Sequence, residues 1–372
     1  MTTRRDMLLG GSALLATGLI GMPLRAAARQ WGESDYAKAM VIDAQGSTGG
    51  GQRMTPEVIA AIRASGMTAL SMTVGRTGSG PGQFHDSVAE VARVTQMCLD
   101  NPELLILVRT AADLAEAKRS GRLGMICNFQ DSSPLEGDLA HVALFRGMGV
   151  RMIQLTYNKR NLAGDGAIEA ANAGLSDYGR QLIAEIEAQK LLLDLSHGGA
   201  RTIAEGVAAA TRPMAISHSG CRTLADLPRN VDDATLRAMA AKGGVVGLYL
   251  MPFLRASGQP HAEDLLRHVE HAIDICGEDH VGIGTDGSIT ATPVNAAAYE
   301  AQRQFYEGRK SRGIAAPGEA PDVLNILPEY STPRRFFDIG RDLAARGHPP
   351  RRIDKILGGN FARLFGETWP AN

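Results

Sequence analysis

Two imidazoles and one carboxylate occupy matching places along this chain. Asp194-Leu195-Ser196-His197 and Ser217-His218-Ser219 each put a histidine just past a short apolar run, and Gly282-Ile283-Gly284-Thr285-Asp286-Gly287 puts an aspartate after a third. Two imidazoles delivered by neighbouring strands make a natural pair of nitrogen ligands for zinc. Asp286 has two open roles: a further ligand, or an acceptor for the proton of water whose pKa a metal has brought to about 7. A lone histidine at a strand end is usually structural, but two with the same placement beside a carboxylate point to metal-dependent chemistry. Gly284 and Gly287 are expected to allow close backbone approach around that carboxylate.

Residues so far apart in sequence meet only if the fold gathers strand ends. From about residue 29 the chain alternates compact apolar runs with helical stretches. The candidate strands are 39–43, 69–74, 104–108, 124–129, 151–156, 191–195, 214–217, 245–250 and 281–284. Apolar runs without strict alternation suit strands buried on both faces of a parallel sheet. The segments between them, such as 175–189 and 233–242, are amphipathic. This order predicts an α/β fold of the (β/α)8 TIM-barrel type, eight strands with one run to spare, as a single domain over residues 29–372. Gln45, Gln130, Tyr157, His197, His218 and Asp286 follow six separate runs. Chemistry in such barrels sits at the C-terminal ends of the strands, so these side chains would share one mouth.

Charge is balanced, 39 Lys+Arg against 40 Asp+Glu, which gives no reason to expect nucleic acid or an anionic membrane as a partner. Cys98, Cys127, Cys221 and Cys276 form no Cys-x-x-Cys pair, so a thiolate zinc site is not expected and buried free thiols are. Near the N-terminus, Arg4-Arg5 precedes an apolar run, 8–22, and then Ala26-Ala27-Ala28. The run is shorter than the roughly 20 residues that span a bilayer. It reads as a twin-arginine-type signal peptide over residues 1–28, with export by the twin-arginine machinery to a periplasmic or extracytoplasmic place and no stable membrane span after cleavage. That route carries folded proteins and would suit an enzyme loaded with metal in the cytoplasm.

The ordered motifs also resemble a known family. The segments 194–197, 217–219 followed by Arg229-Asn230, 243–247, 281–286 and Gly358-Gly359-Asn360-Phe361 look like successive motifs of the renal or membrane dipeptidases, as do 149–158 and 174–180. The resemblance runs from about Asp43 to Phe365. It implies a two-zinc hydrolase of dipeptides, often dimeric, with a carboxylate bridging the metals. On that resemblance His197 and His218 match the histidines of the second metal site. Asp286 matches the acid–base aspartate, and Arg229, with Asn230 beside it, the substrate-binding arginine. A guanidinium suits a substrate carboxylate through paired hydrogen bonds.

The departures from the pattern carry as much information. Gln45 and Ser47 stand where the family has a histidine and an aspartate on the first zinc, Gln130 replaces the bridging glutamate, and Tyr157 replaces a substrate-facing histidine. Neutral oxygens hold two dications about 3.5–4 Å apart poorly against their repulsion. The expectation is therefore one zinc ion per chain on His197 and His218, with Gln130 or Asp286 as third ligand. Asp131 is not expected to take over the bridge, because on a regular strand it would face the opposite way, and only a local bulge would re-aim it. Tyr157 would either donate a hydrogen bond to a developing oxyanion or fill the pocket. Three functions follow: an exported mononuclear hydrolase of dipeptides or dipeptide-like amides, a catalytically inactive periplasmic barrel that binds a small peptide, or a hydrolase of lactones or cyclic amides.

Overall fold

Every candidate residue is placed by one parallel sheet that curls until its ends meet. The computed structural model describes residues 31–49, 53–78 and 80–369. The twin-arginine segment lies outside these. Among the described residues the strands are β1 (Ile42–Ser47), β2 (Ala69–Thr73), β3 (Leu105–Leu107), β4 (Leu123–Phe129), β5 (Val150–Gln154), β6 (Leu192–Asp194), β7 (Ala215–Ser219), β8 (Val245–Leu248), β9 (Val281–Ile283) and β10 (Gly287–Ser288). They pair in the order β10-β1-β2-β4-β5-β6-β7-β8-β9. The two ends of that path, β9 and β10, are consecutive segments of chain separated only by Gly284, Thr285 and Asp286. Gly284 N–H bonds the Leu248 carbonyl on one side and Asp286 N–H the Gln45 carbonyl on the other, at 3.1 and 2.7 Å. The sheet thus closes as eight strands, the eighth broken at Asp286. β3, paired only with the start of β4, is the spare run.

The strands form because small and branched residues fill both of their faces. Ile42, Ala69, Ile126, Met152, Leu192, Ala215 and Val245 form one buried cluster with Phe361, Leu364, Phe365 and Trp369. The aromatic members come from or directly follow the C-terminal helix (Asn360–Thr368), so that helix plugs the floor of the barrel. Above this apolar layer lie Ser71, Asn128, Gln154, Asp194 and Ser217, each at most 1 % exposed. The outer face of the strands packs against the helices through a larger apolar cluster. The helices include Asp177–Ala188, N-capped by Ser176, and Asp233–Ala241, N-capped by Asp232.

Two boundaries differ from the sequence expectation in ways that bear on the site. The first strand was expected at 39–43, but a helix over Glu33–Lys38 uses Ala39 as its C-cap, and β1 begins at Ile42. Gln45 and Ser47 therefore lie within a strand, not beyond one. Likewise His218 sits inside β7, not past it. Both strands carry a register shift against a neighbour, between Asp43 and Gly46 and between Ile216 and Ser219. Such irregularities re-aim side chains and are common beside active sites.

Candidate metal centre

His197 leaves β6 in a left-handed backbone conformation, φ 62°, which a non-glycine residue adopts only where its surroundings enforce it. Its Nδ1 lies 2.6 Å from the Asn158 side-chain oxygen. The Asn158 amide is fixed that way round because its Nδ2 donates to the Ile314 carbonyl at 2.8 Å. Nδ1 must then carry the hydrogen, and Nε2 presents a lone pair. His218 reaches the same state by another route. Ser217 Oγ gives its proton to Asp194 Oδ2 at 2.5 Å and accepts from His218 Nδ1 at 2.8 Å. Asp194 is itself held by Ser196 and Ser217 through both backbone and hydroxyl donors.

Both Nε2 atoms are buried and have no hydrogen-bond partner among the described residues. The two rings sit 4.8 Å apart, edge to face. One ligand atom each from His197, His218 and Asp286 lies within 4.8 Å of the others. Burial first, and the Arg229 charge second, hold both imidazoles well below their usual pKa, so they are neutral. An unsatisfied buried acceptor costs about 1–3 kcal/mol. Two of them side by side, facing a carboxylate, fit one divalent cation. Asp286 also has a left-handed backbone, φ 54°. Burial pushes its carboxyl up to about 6 against the opposing pull of Arg229 and Arg309.

The positions opposite this trio are neutral. Gln45 Oε1 accepts from Asn128 Nδ2 at 3.0 Å, and Gln45 Nε2 donates to Thr73 Oγ1 at 3.1 Å. Asn128 also donates to Ser71 Oγ at 2.7 Å. The Gln45 side chain is thus locked into a network of neutral partners, while its backbone N–H donates to Asp43 Oδ1 at 3.3 Å. Ser47 lines the cavity and donates weakly to the Gly287 carbonyl at 3.4 Å. Gln130 meets Asp286 as a donor, Nε2 to Oδ1 at 3.4 Å. Asp131 is turned away and accepts from Gly78 N, Ser133 N and Asn161 Nδ2.

His197 and Asp286 line a cavity of about 300 Å³, and His218, in ring contact with His197, is fully buried beside them. Arg229, only 3 % exposed, reaches its wall. Its guanidinium lies 5.8 and 5.7 Å from the Tyr249 and Phe253 ring centroids, and its Nη2 has no hydrogen-bond partner among the described residues. Asn230, expected on the substrate, is a correction. Its amide donates to the Ala225 and Phe253 carbonyls, its oxygen accepts from Tyr249 Oη, and it does not line the cavity. Gly287 is a second correction. A Cβ there would meet only ordinary contacts, whereas at Gly284, and at Gly247 beside it, a Cβ would run into the Ser217 carbonyl. Tyr157 stacks on the His197 ring at 4.2 Å and accepts from Arg309 Nη1 at 3.0 Å.

Several residues of the site had no role in the sequence reading. Asn158 and Asp194 lay within motifs quoted for the resemblance, and only their hydrogen bonds reveal what they do. The outer wall, with Phe305, Arg309, Glu319 and Ile326, comes from the segment after β10 and its helix Ala296–Ser311. No strand-end pattern marks that segment in the sequence.

Comparison with known proteins agrees with this geometry. The model of the membrane dipeptidase family, peptidase family M19, matches residues 59–300. The chain belongs to that family. Its members are metal-dependent hydrolases, and in this member the metal-competent trio is His197, His218 and Asp286. The chain is 28 % identical over 291 residues to a Klebsiella pneumoniae protein described only by its position in the pqqA 5′ region, covering 75 % of this chain and 95 % of that one. It is 30 % identical over 214 residues to dipeptidase verJ of Clonostachys rogersoniana, covering 54 % of each. The chain spans about half the length of the curated dipeptidases it matches. Among solved structures, an amidohydrolase from Pseudomonas aeruginosa superposes with TM-score 0.79 at 29 % identity, over 90 % of this chain and 98 % of that one. A Rhodobacter sphaeroides metallopeptidase, liganded with a phosphinate mimic of the dipeptide L-Ala-D-Ala, shares the fold with TM-score 0.72 at 19 % identity, over 89 % and 99 %.

Proposed function

We propose that this dipeptidase-family protein hydrolyses the amide bond of dipeptides or dipeptide-like substrates with one zinc ion, held by His197, His218 and Asp286. One observation carries the reading. Two neutral imidazoles keep unspent Nε2 lone pairs beside a carboxylate that lines a cavity, and the cavity wall holds the Arg229 guanidinium, whose buried Nη2 has no partner among the described residues. When bound, the ion supplies the Lewis acidity that polarises a carbonyl and makes water nucleophilic near neutral pH. The chain's own residues supply the rest. Arg229 takes the substrate carboxylate, since a fork of N–H donors that forms no salt bridge among the described residues matches that group. Tyr157 donates to the carbonyl oxygen. Asp286, with one oxygen free of Gln130, accepts a proton as water adds to the carbonyl carbon and returns it to the nitrogen as the C–N bond breaks. The helix Ala296–Ser311 contributes Phe305 and Arg309 to the cavity wall.

The neutral Gln45–Asn128–Thr73 network and the amide at Gln130 support one ion, not two. They also favour a second reading, a barrel that binds a small peptide without cleaving it. Arg4-Arg5 and the apolar run after it support export through the twin-arginine route. Metal analysis together with a dipeptide panel tests the proposal. About one zinc per chain and turnover that both vanish in His197→Ala are expected. Peptide binding without metal or turnover selects the second reading, two tightly held ions overturn the single site, and turnover of lactones alone overturns the substrate class.

A further inference from the structure

The cavity wall contains a second guanidinium whose surroundings differ from those of Arg229. Arg309, in the last turn of the helix Ala296–Ser311, is one of two residues that this mostly exposed helix buries. Its Nε and Nη2 form a bidentate pair with Glu319 at 2.6 and 2.8 Å, and Nη2 also donates to the Ile314 carbonyl at 3.1 Å. Glu319 is anchored in turn by the Ala316 N–H at 2.9 Å. The planar fork is therefore fixed in place and its charge is matched. Arg309 is not the cation that waits for a substrate carboxylate; Arg229 is.

What Arg309 has left is Nη1, and it points at Tyr157 Oη, 3.0 Å away. Guanidinium hydrogens can only be donated. The phenol oxygen is thus an acceptor in this contact, and its own hydrogen is not spent on Arg309. No hydrogen bond from Tyr157 Oη to an acceptor is formed among the described residues. The ring is held against His197 by stacking at 4.2 Å, 25° from parallel. Tyr157 lines the same cavity as Asp286 and His197. With one lone pair taken from the Arg309 side and the ring clamped, the remaining direction for the hydroxyl hydrogen is the cavity.

We propose that Arg309 is a positioning residue for the hydrolysis, fixing Tyr157 so that its phenolic hydrogen faces the reacting carbonyl oxygen. This rests on the hydrolase reading above. Glu319 acts one step further out, by holding the Arg309 fork. The arrangement puts a donor from the segment after β10 in control of a donor from the loop after β5, so the helix Ala296–Ser311 contributes to the reaction as well as to the cavity wall. A donor that strengthens its bond only as negative charge develops lowers the barrier without tightening substrate binding.

The test is a double-mutant cycle in the full chain, Tyr157→Phe, Arg309→Met and both together, with dipeptide kinetics and NMR of protein labelled at tyrosine Cζ. Loss of one oxyanion donor costs about 10²–10³ in kcat. Arg309→Met leaves the hydroxyl in place but unfixed, so a smaller loss of about 10- to 100-fold in kcat is expected, with KM changed less than about threefold. The double variant should be no slower than Tyr157→Phe alone. The Cζ resonance missing from Tyr157→Phe should be the one that shifts in Arg309→Met. Arg309→Lys keeps a charge opposite Glu319 and replaces Arg309→Met if the latter does not fold. Additive losses in the cycle, or a KM effect alone, overturn the positioning role. An unmoved Tyr157 resonance in an active enzyme overturns the coupling while leaving the hydrolase reading intact. A wild-type chain that turns over no dipeptide overturns that reading, and the role of Arg309 with it, even where the resonance shifts.

Discussion

An imidazole is a useful metal ligand only when its other nitrogen keeps the proton. In this chain two different devices do that, the Asn158 amide for His197 and the Ser217–Asp194 pair for His218. Outer partners of this kind are worth about 10- to 100-fold in metal affinity. Asn158→Ala is expected to weaken zinc binding by about that factor in a chelator competition while the zinc count at saturation stays near one. An unchanged affinity would remove Asn158 from the site. Arg229 offers a second residue-scale test. Truncating one partner of a buried, hydrogen-bonded charge pair costs at least about 2 kcal/mol, so Arg229→Met should raise KM about 30-fold or more. The same variant should lose little towards a dipeptide whose C-terminus is amidated. Equal losses on both substrates would mean that Arg229 does not hold the carboxylate.

At the scale of elements, the break in the eighth strand sets the catalytic geometry. β9 and β10 would be continuous but for Gly284, Thr285 and Asp286, and the break turns Asp286 into the barrel mouth in a left-handed conformation. Gly284 lets this happen, because the chain there passes against the Ser217 carbonyl with no room for a Cβ. Gly284→Ala forces backbone movement between the strand that carries His218 and the segment that carries Asp286. A loss of about 1–3 kcal/mol or more in urea unfolding is expected, with the m-value unchanged and zinc affinity reduced in parallel. A variant as stable as wild type with full zinc affinity would show that the close approach is not needed.

For the molecule as a whole, closure of the barrel buries Asp43 under the same break. Its carboxylate accepts from Thr285 N and Oγ1 at 2.8 and 2.6 Å, yet burial outweighs these bonds and pushes the carboxyl from 3.8 up to about 7. Between those two values the folded chain holds a proton that the unfolded chain has released, so this group's contribution is full below about pH 4 and is lost as the pH rises through about 7. Asp43→Asn removes the titration. The stability difference between wild type and variant should therefore move against wild type by up to about 4 kcal/mol from pH 4 to pH 8. Parallel stability curves would show that Asp43 stays ionised. Among the described residues no helix is long and apolar enough to cross a membrane. Export is proposed from Arg4-Arg5, and replacing both with lysine should leave the protein in the cytoplasm in a fractionation experiment; unimpaired export would point to another route.

The sequence by itself determined the kind of sheet, the eight-plus-one count of strands and the trio His197, His218 and Asp286. Buried parallel strands are apolar along their whole length, and polar residues at their ends stand out against that background. It also carried the substitutions at Gln45, Ser47, Gln130 and Tyr157, because a residue type needs no coordinates. It placed β1 and the end of β7 wrongly by a few residues, since apolar runs do not record where a cap ends or a register shifts. Only the tertiary structure decided what those residues do to one another. It took Gln45 into a neutral network with Asn128 and Thr73 and tied up Asn230 away from the cavity. It also brought Arg309 from 152 residues away onto Tyr157. Hydrogen bonds between distant elements leave no periodicity in a sequence, and the direction of each proton here depends on such a bond.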